Sequence, residues 1–224
     1  MKHAELTPLA NMVFNERKEM DRTVNEFETT TERCVKRILD ILASLVGLLV
    51  TAPVMLLIYI LIKREDNGPA IYRQERIGYK GKAFTLYKFR SMKVNAEQNG
   101  PKLYNAANDD RLTHIGKFIR EHHLDELPQF WNVLKGDMSF IGPRPERQFY
   151  INQIMAVNPD YAKLYQVLPG LFSYATLYNG YTDTLEKMLI RLQMDLDYLA
   201  KRTLWSDFKI ISLTVLSIVT GKKF

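Results

Sequence analysis

The stretch ILDILASLVGLLVTAPVMLLIYILI, at residues 38–62, decides what kind of protein this is. Its only ionisable groups are Asp40 and Tyr59. A straight helix over these residues would measure roughly 37 Å, which exceeds the roughly 30 Å hydrocarbon core of a bilayer. We therefore expect the stretch to enter a membrane. A helix buried in the core of a soluble domain is the alternative.

Basic residues flank this apolar stretch at both ends: Lys36, Arg37, Lys63 and Arg64. Because basic flanks are retained on the cytoplasmic side, both ends are drawn to the same side of the membrane. Between them lies Ala52-Pro53, and proline removes a backbone hydrogen bond and kinks a helix. We therefore predict a re-entrant anchor over residues 34–64, a helix–break–helix within one leaflet. A helix that spans the bilayer is the alternative.

The chain outside the anchor predicts two further regions. Residues 1–33 are polar and lack the features of a cleaved secretory signal, which predicts a solvated extension. Residues 65–224 are long enough for one compact domain with its own core, which we expect to lie in the cytoplasm. The expected fold class is α+β and rich in helices.

The elements of this domain follow from periodicity and turn residues. Alternation at residues 70–75 and 83–92, around a turn with two glycines, predicts a small β-hairpin. Helices are predicted at 115–122, 126–135, 183–201 and 208–220. Asp183 and Glu186 have the spacing of a capping box for the third of these. The last is amphipathic and predicts an interfacial helix, with a buried core helix as the alternative.

Charge and cysteine content narrow the class of partner. The net charge of +6 favours an anionic partner such as phosphate, an acidic membrane surface or nucleic acid. The sequence carries no recognised nucleic-acid-binding motif, so we expect no nucleic-acid partner. A single cysteine, Cys34, rules out an internal disulfide and a cysteine zinc cluster, as expected in a reducing compartment.

The first candidates for chemistry are the adjacent carboxylates Asp125 and Glu126. They precede a predicted helix with Pro128 in its first turn, a position that tolerates proline. The free amides and the dipole of a helix start favour an ionised Asp125. An ionised carboxylate can attack phosphorus as a nucleophile. The alternative is that Asp125 only caps the helix.

Cationic residues near the carboxylates in the sequence suit transfer between phosphates, which needs positive charge around the phosphoryl oxygens. The candidates are Lys88, Arg90, Arg120 and Arg144. Lys88 and Arg90 share one face of the second predicted strand. Arg144 lies in Gly-Pro-Arg-Pro, whose prolines fix the backbone around a guanidinium suited to bidentate phosphate binding. Adjacent carboxylates beside a diphosphate would also suit Mg²⁺.

Three runs of sequence carry a family resemblance. They are KFRSM at 88–92, RLTHIGKFIR at 111–120 and LDELPQFWNVLKGDMSFIGPRP at 124–145. Together they closely resemble the bacterial sugar transferases, the monotopic phosphoglycosyl transferases that initiate capsule, O-antigen or glycoprotein glycan synthesis. The resemblance covers about residues 33–224. It is to the short form that consists of the catalytic core.

The resemblance implies a two-step reaction. Asp125 would attack a nucleotide sugar, most simply a UDP-sugar, to form a phosphosugar enzyme and release UMP. Polyprenyl (undecaprenyl) phosphate would then accept the phosphosugar. Glu126, beside Asp125, would bind Mg²⁺. The cations match positions that resemble phosphate ligands: Lys88, Arg90, Arg120 and Arg144.

The resemblance also implies a location. The family's membrane helix is a re-entrant hairpin broken near a proline, which Ala52-Pro53 matches with Ala in place of the more usual Ser. The protein would lie on the cytoplasmic face of the bacterial inner membrane. Its partners would be the lipid bilayer and, downstream, other glycosyltransferases of the same exopolysaccharide or glycoconjugate pathway.

Two departures from the family pattern concern the site. His122 and His123 replace the small hydroxyl residues that usually precede the carboxylates. PGLFSYATLYNG, at 169–180, replaces a motif usually written P-G-[IL]-T-G-x-A-Q. If this segment helps to select the sugar or the nucleotide, the substrate cannot be carried over from better-known relatives.

Two other classes of function compete with this hypothesis. A glycosidase would use Asp125 and Glu126 as acid and base, but adjacent residues before one helix rarely place two carboxyls across a glycosidic bond. A non-catalytic membrane adaptor would explain the anchor and the basic charge. It would not explain the carboxylate pair together with Gly-Pro-Arg-Pro.

Overall fold

The computed structural model describes residues 29–98, 100–103, 109–179 and 182–219. Most of the predicted polar extension and the last residue of the helix predicted at 208–220 lie outside the described residues. The described chain is rich in helices and contains a small antiparallel hairpin. The predicted helix-rich α+β class is confirmed at this level.

The apolar stretch lies within one long helix, α1 (Thr30–Glu65). Its start is a capping box, in which the Thr29 hydroxyl accepts from the Glu32 amide and the Glu32 carboxylate accepts from the Thr29 amide. The helix continues through Ala52 and Pro53, so it does not end at the predicted break. Proline removes one ladder bond, and a long apolar helix tolerates that loss.

The predicted hairpin is confirmed. Strand β1 (Ile71–Ile77) pairs antiparallel with β2 (Ala83–Phe89), and the register brings Ile71 opposite Phe89. A 3₁₀ turn joins them, with Lys80 in the left-handed region at φ 56°. Strand β2 ends at Phe89, three residues before the predicted end.

The rest of the domain consists of helices and two strands of three residues each. In chain order they are α2 (His114–Glu121), α3 (Gln129–Lys135), β3 (Ser139–Ile141), α4 (Gln148–Val157), β4 (Gly170–Phe172), α5 (Tyr174–Asn179), α6 (Leu185–Lys201) and α7 (Leu204–Val219). Strands β3 and β4 form a second, parallel two-stranded sheet. The sequence did not predict this sheet, because strands of three residues are too short to show an alternating pattern.

Helix α6 has the predicted apolar stripe but a different start. Thr184, not Asp183, is the N-cap, and its hydroxyl accepts from the Lys187 amide at 3.2 Å. The Asp183 carboxylate instead pairs with the Lys187 ammonium at 2.6 Å. The predicted capping box is therefore wrong by one position, because Thr and Asp are both good caps.

Among the described residues, three apolar clusters hold the domain together. The largest packs α4 and α6 against β3, with Ile151 and Leu192 almost fully buried. A second joins the C-terminal end of α1 to the hairpin and α2, through Ile62, Phe89 and Ile119. The third lies between β2, α3 and β4. These clusters connect the elements that carry the candidate site.

A buried carboxyl in α6 predicts pH-dependent stability. Asp195 is 1% exposed, and burial raises its pKa to about 7 although Arg191 opposes the shift. The unfolded chain loses this proton near pH 4, whereas the folded chain keeps it until about pH 7. The folded state therefore binds more protons in that window, and the free energy of unfolding falls as the pH rises through it.

We expect Asp195→Asn, which keeps the shape of the side chain without its charge, to stabilise the protein above pH 7. In detergent its midpoint of thermal unfolding should rise by ~5 °C at pH 8 and change little at pH 4.5, since each pKa unit corresponds to about 1.4 kcal/mol. Asp197→Asn, on the exposed face of the same helix, is the control. Equal effects at both pH values would contradict the prediction.

Candidate active site

The two adjacent carboxylates lie in a separate 3₁₀ turn, Leu124–Glu126, between α2 and α3. Helix α2 ends at Glu121, and His123 takes up a left-handed conformation at φ 55°. Such a conformation is uncommon for a residue with a side chain, though histidine adopts it more readily than most. The sharp turn at His123 places Asp125 and Glu126 in the wall of a cavity.

The carboxylate of Glu126 is held by two cations. Lys88 Nζ lies 2.8 Å from Oε1. The Arg144 guanidinium binds both oxygens, with Nη2 paired to Oε1 and Nη1 3.2 Å from Oε2. Burial alone would raise the pKa of Glu126, but Arg144 and Lys88 outweigh it and hold the pKa well below its usual range. Glu126 is therefore a fixed negative charge.

The pKa of Asp125 is shifted in the opposite direction to that of Glu126. It is 4% exposed, and burial raises its pKa to about 6, with Lys88 opposing the shift and Glu126 adding to it. The sequence predicted that a helix start would favour the ionised form, and this is wrong in its direction. The first residue of α3 is Gln129, and its N-cap is Pro128, so Asp125 does not cap the helix.

The backbone around Arg144 is held closely. Gly142 passes so near to the segment that leads into β4 that a Cβ there would lie 2.5 Å from the Leu168 carbonyl oxygen. Pro143 and Pro145 fix the backbone on either side of Arg144. Arg144 Nη1 also donates to the Leu171 carbonyl oxygen at 3.3 Å. The predicted rigid display of this guanidinium agrees with these contacts.

Lys88 is positioned through a residue that the sequence did not single out. Asn132 in α3 is fully buried, and its side chain accepts from the Tyr87 amide at 3.1 Å and donates to the Thr85 carbonyl at 2.7 Å. These bonds fix β2 against the helix that follows the carboxylates. A buried asparagine in a short helix carries no sequence signal that would have revealed this role.

The other two predicted cations, Arg120 and Arg90, also line the cavity. Arg120, in the last turn of α2, lines the cavity, and its charge opposes the rise in the pKa of Asp125. Arg90 also lines the cavity and is 5% exposed, but it pairs with Asp66 at the end of α1. The structure thus brings Lys88, Arg144 and Arg120 around the carboxylates and places Arg90 nearer the anchor.

The cavity has a volume of about 600 Å³, which is large enough for a substrate of drug-like size. Among the described residues that line it are nine cationic side chains and four carboxylates. Apolar residues such as Leu127, Phe130 and Phe172 line another part of it. A cavity with a positive wall and an apolar wall suits a phosphorylated and partly apolar ligand.

A second ionic group in the cavity wall centres on Glu146. This carboxylate pairs with Arg76 at 2.6 Å and with Arg191 at 2.8 Å. Burial would raise its pKa, but Arg76 and Arg191 outweigh it and lower the pKa to about 2. Sequence reasoning missed this group, because its members lie on β1, after β3 and on α6.

The divergent segments also reach the cavity. Within the segment 169–180, the residues that line it are Leu171, Phe172, Ser173, Thr176 and Leu177. His123 lines it too, and burial lowers the pKa of this imidazole. His122 lines the cavity as well, and it closes α2 with its Nδ1 2.8 Å from the Phe118 carbonyl oxygen.

The carboxylates fit the coordination habits of Mg²⁺. This ion typically takes one or two protein carboxylates and fills its shell with water and phosphate oxygens. The described residues contain no group of three or more His, Cys, Asp or Glu side chains that would hold a metal alone. Asp125 and Glu126 do supply two hard oxygen donors in one cavity wall. A dication would stabilise the ionised form of Asp125, which burial disfavours.

The chain belongs to the bacterial sugar transferase family, whose model matches residues 31–221. It is 41% identical over 187 residues to a UDP-N-acetylgalactosamine-undecaprenyl-phosphate N-acetylgalactosaminephosphotransferase of Aeromonas hydrophila. That alignment covers 84% of this chain and 44% of the relative.

Two relatives named UDP-glucose:undecaprenyl-phosphate glucose-1-phosphate transferase are similar to the same degree. The one from Caulobacter vibrioides is 41% identical over 83% of this chain and 70% of its own length. The one from Escherichia coli K12 is 42% identical over 82% of this chain and 40% of its own length. The chain therefore spans less than half of two of these three relatives.

Proposed function

We propose that this protein transfers a sugar 1-phosphate from a UDP-sugar to undecaprenyl phosphate and releases UMP. The observation that carries the proposal is that two adjacent carboxyl groups, with pKa values shifted in opposite directions, lie in one cationic cavity. Glu126 is held ionised by Lys88 and Arg144, while Asp125 is buried beside it. The names of the relatives support the same donor and acceptor classes.

In the first step, an Asp125 carboxylate oxygen attacks the phosphorus that bears the sugar. The bond from Asp125 to phosphorus forms as the bond from that phosphorus to the bridging oxygen breaks. UMP leaves with the bridging oxygen and its electron pair. Lys88, Arg120 and Arg144 stabilise the negative charge that develops on the phosphoryl oxygens.

In the second step, a phosphate oxygen of undecaprenyl phosphate attacks the same phosphorus. The bond to Asp125 breaks, the carboxylate is regenerated, and undecaprenyl diphosphate sugar leaves. Asp125 is suited to both steps. Burial destabilises its free carboxylate, so the ionised side chain is a reactive nucleophile, and the nearby cations still allow it to ionise. This would be the first membrane step of exopolysaccharide or glycoconjugate assembly, before downstream glycosyltransferases act.

Mg²⁺ belongs to the same proposal. Asp125 and Glu126 would hold it. When bound, it would neutralise charge on the diphosphate oxygens of the donor. Lys88 and Arg144, which hold Glu126, would add further positive charge for the diphosphate.

The direct test is UMP release by the purified protein in nanodiscs with Mg²⁺, undecaprenyl phosphate and a panel of UDP-sugars. We expect UMP from at least one sugar. The relevant competing function is a non-catalytic adaptor, which the exposed apolar surface of α1 and the basic charge would also suit. Folded protein that released no UMP with any sugar would favour the adaptor.

The membrane arrangement that we propose is re-entrant, with both ends of α1 on the cytoplasmic face. Near the start of α1, Arg37 donates to the Val133 carbonyl oxygen at 2.6 Å. At its end, Glu65 accepts from the His114 amide at 2.6 Å, and Ile62 is buried against the hairpin and α2. One domain thus contacts both ends of the helix. This supports a position of both ends on the same side of the hydrocarbon core, which is roughly 30 Å thick.

The surface of α1 also supports burial in lipid. Many of its large apolar side chains are exposed, among them Leu42, Val46, Leu49, Val50, Leu56 and Leu57. It is the one helix within the described residues that is long and apolar enough to cross a membrane. On α7, Trp205 is 74% exposed and stacks with Phe208. Exposed aromatic rings of this kind favour the membrane interface, which supports an interfacial position for α7.

Labelling of cysteines in intact spheroplasts tests this topology. The native Cys34 is exposed near the start of α1, and Asn67→Cys places a second thiol just past its end. In single-thiol variants, we expect both positions to resist an impermeant maleimide until the cells are lysed. If the two thiols react from opposite sides, the helix spans the bilayer.

A further inference from the structure

Asp40 is the one carboxylate inside the apolar part of α1, and neither the reaction nor the anchor by itself explains it. It is 4% exposed, and its Oδ1 accepts from the Phe140 amide at 3.0 Å. A carboxylate in an otherwise apolar membrane helix is costly, and such residues usually have a functional partner. Here that partner is the backbone of β3.

A second side chain on the same face of α1 holds the next residue of β3. Lys36 precedes Asp40 by one helical turn, and its Nζ donates to the Ile141 carbonyl oxygen at 2.7 Å. Lys36 is itself fixed by Asp207 of α7 at 2.8 Å. Within the part of the chain that the structure describes, strand β3 pairs with one other strand, β4. The anchor therefore supplies further bonds to this short strand.

Strand β3 leads directly into the loop that displays Arg144. Two residues, Gly142 and Pro143, separate Ile141 from Arg144, and a second proline follows at 145. Gly142 is in close contact with the backbone of β4, so the segment has little freedom to adjust. A shift of β3 would therefore be passed to the guanidinium that binds Glu126.

We propose that Asp40 and Lys36 are positioning residues for the transfer reaction, which fix Arg144 relative to Glu126 by holding β3 against the membrane helix. The inference rests on the proposed function. Arg37, between them, holds the Val133 and Leu134 carbonyls of α3, the helix that follows the carboxylates. The first turns of the anchor thus contact both segments that form the site.

The test is steady-state kinetics of UMP release by the full chain in nanodiscs. We expect Asp40→Leu to lower kcat by roughly 10- to 100-fold, since displacement of a catalytic group by about 1 Å can cost 10²-fold. The KM for the UDP-sugar and the membrane-bound fraction should change less than about threefold. Asp40→Asn, whose amide oxygen can still accept from Phe140, should recover most of the loss. Leu42→Ala, exposed on the same helix, is the matched control.

A double-mutant cycle separates positioning from simple stabilisation. In an Arg144→Lys background, Asp40→Leu should lower kcat by less than about a further threefold, because the guanidinium that Asp40 positions is already replaced. Lys36→Met removes the bond to Ile141 without touching Asp40 and should behave in the same way, with a smaller loss. Lys36→Met also provides the test if Asp40→Leu does not fold.

Three results would overturn the inference: full additivity with Arg144→Lys, unchanged kcat in both Asp40→Leu and Lys36→Met, or no recovery in Asp40→Asn. Failure of the proposed function itself is distinguishable. In that case the unsubstituted protein would release no UMP, whereas failure of the positioning role requires an active parent.

Discussion

Replacing Asp125 with Asn is expected to abolish transfer, with UMP release reduced on the order of 10⁴-fold or more. Removal of a covalent nucleophile typically costs an enzyme this much, because the other groups of the site cannot act without it. Asn has nearly the shape of Asp, so the buried turn at Leu124–Glu126 should keep its packing. The measurement is UMP release from a UDP-sugar with undecaprenyl phosphate and Mg²⁺.

The control for this substitution is a carboxylate outside the site. Asp197→Asn, on the exposed face of α6, should release UMP at the rate of the unsubstituted protein. Thermal unfolding should show that Asp125→Asn is folded. It should even be somewhat more stable at pH 8, because burial raises the pKa of Asp125 and so disfavours its charge. An active Asp125→Asn variant would exclude the covalent mechanism while leaving the overall transfer possible.

Replacing Arg144 with Lys should lower kcat by roughly 10²- to 10³-fold. Lysine keeps the charge but loses the planar, two-pronged donor that binds both Glu126 oxygens. An arginine that stabilises a phosphoryl transition state can raise kcat by about 10³-fold or more. A lysine at the same position should keep only part of that rate enhancement. Single-turnover UMP release would show whether the first chemical step carries the loss.

Arg73→Lys is the matched control for this substitution, because Arg73 is exposed on β1 and does not line the cavity. It should leave kcat unchanged. If Arg144→Lys came within threefold of the unsubstituted protein, Arg144 would be a structural partner of Glu126 and not a catalytic group.

The parts of the fold that could be predicted are those with a local signal. The apolar run of α1, the alternation of the hairpin and the 3.6-residue stripe of α6 each lie within one segment of the chain. The parallel pairing of β3 with β4 joins segments about thirty residues apart through strands of three residues each. Neither strand carries a pattern long enough to reveal its partner.

The site shows the same division. Asp125, Glu126, Lys88 and Arg144 could be selected as residue types suited to phosphates, and the structure brings them together. The electrostatics could not be predicted, because the high pKa of Asp125 results from burial in the tertiary structure. The contacts of Asn132 with β2 and of Asp40 with β3 likewise depend on packing between distant segments.

The central claim is that Asp125 forms a covalent phosphosugar intermediate, and intact-protein mass spectrometry tests it most directly. The protein is incubated with its UDP-sugar and Mg²⁺ in the absence of undecaprenyl phosphate. We predict a gain in mass of one phosphosugar, with an equivalent amount of UMP, that disappears when undecaprenyl phosphate is added and never forms on Asp125→Asn. Full turnover with acceptor, but no adduct and no UMP without it, would contradict the claim.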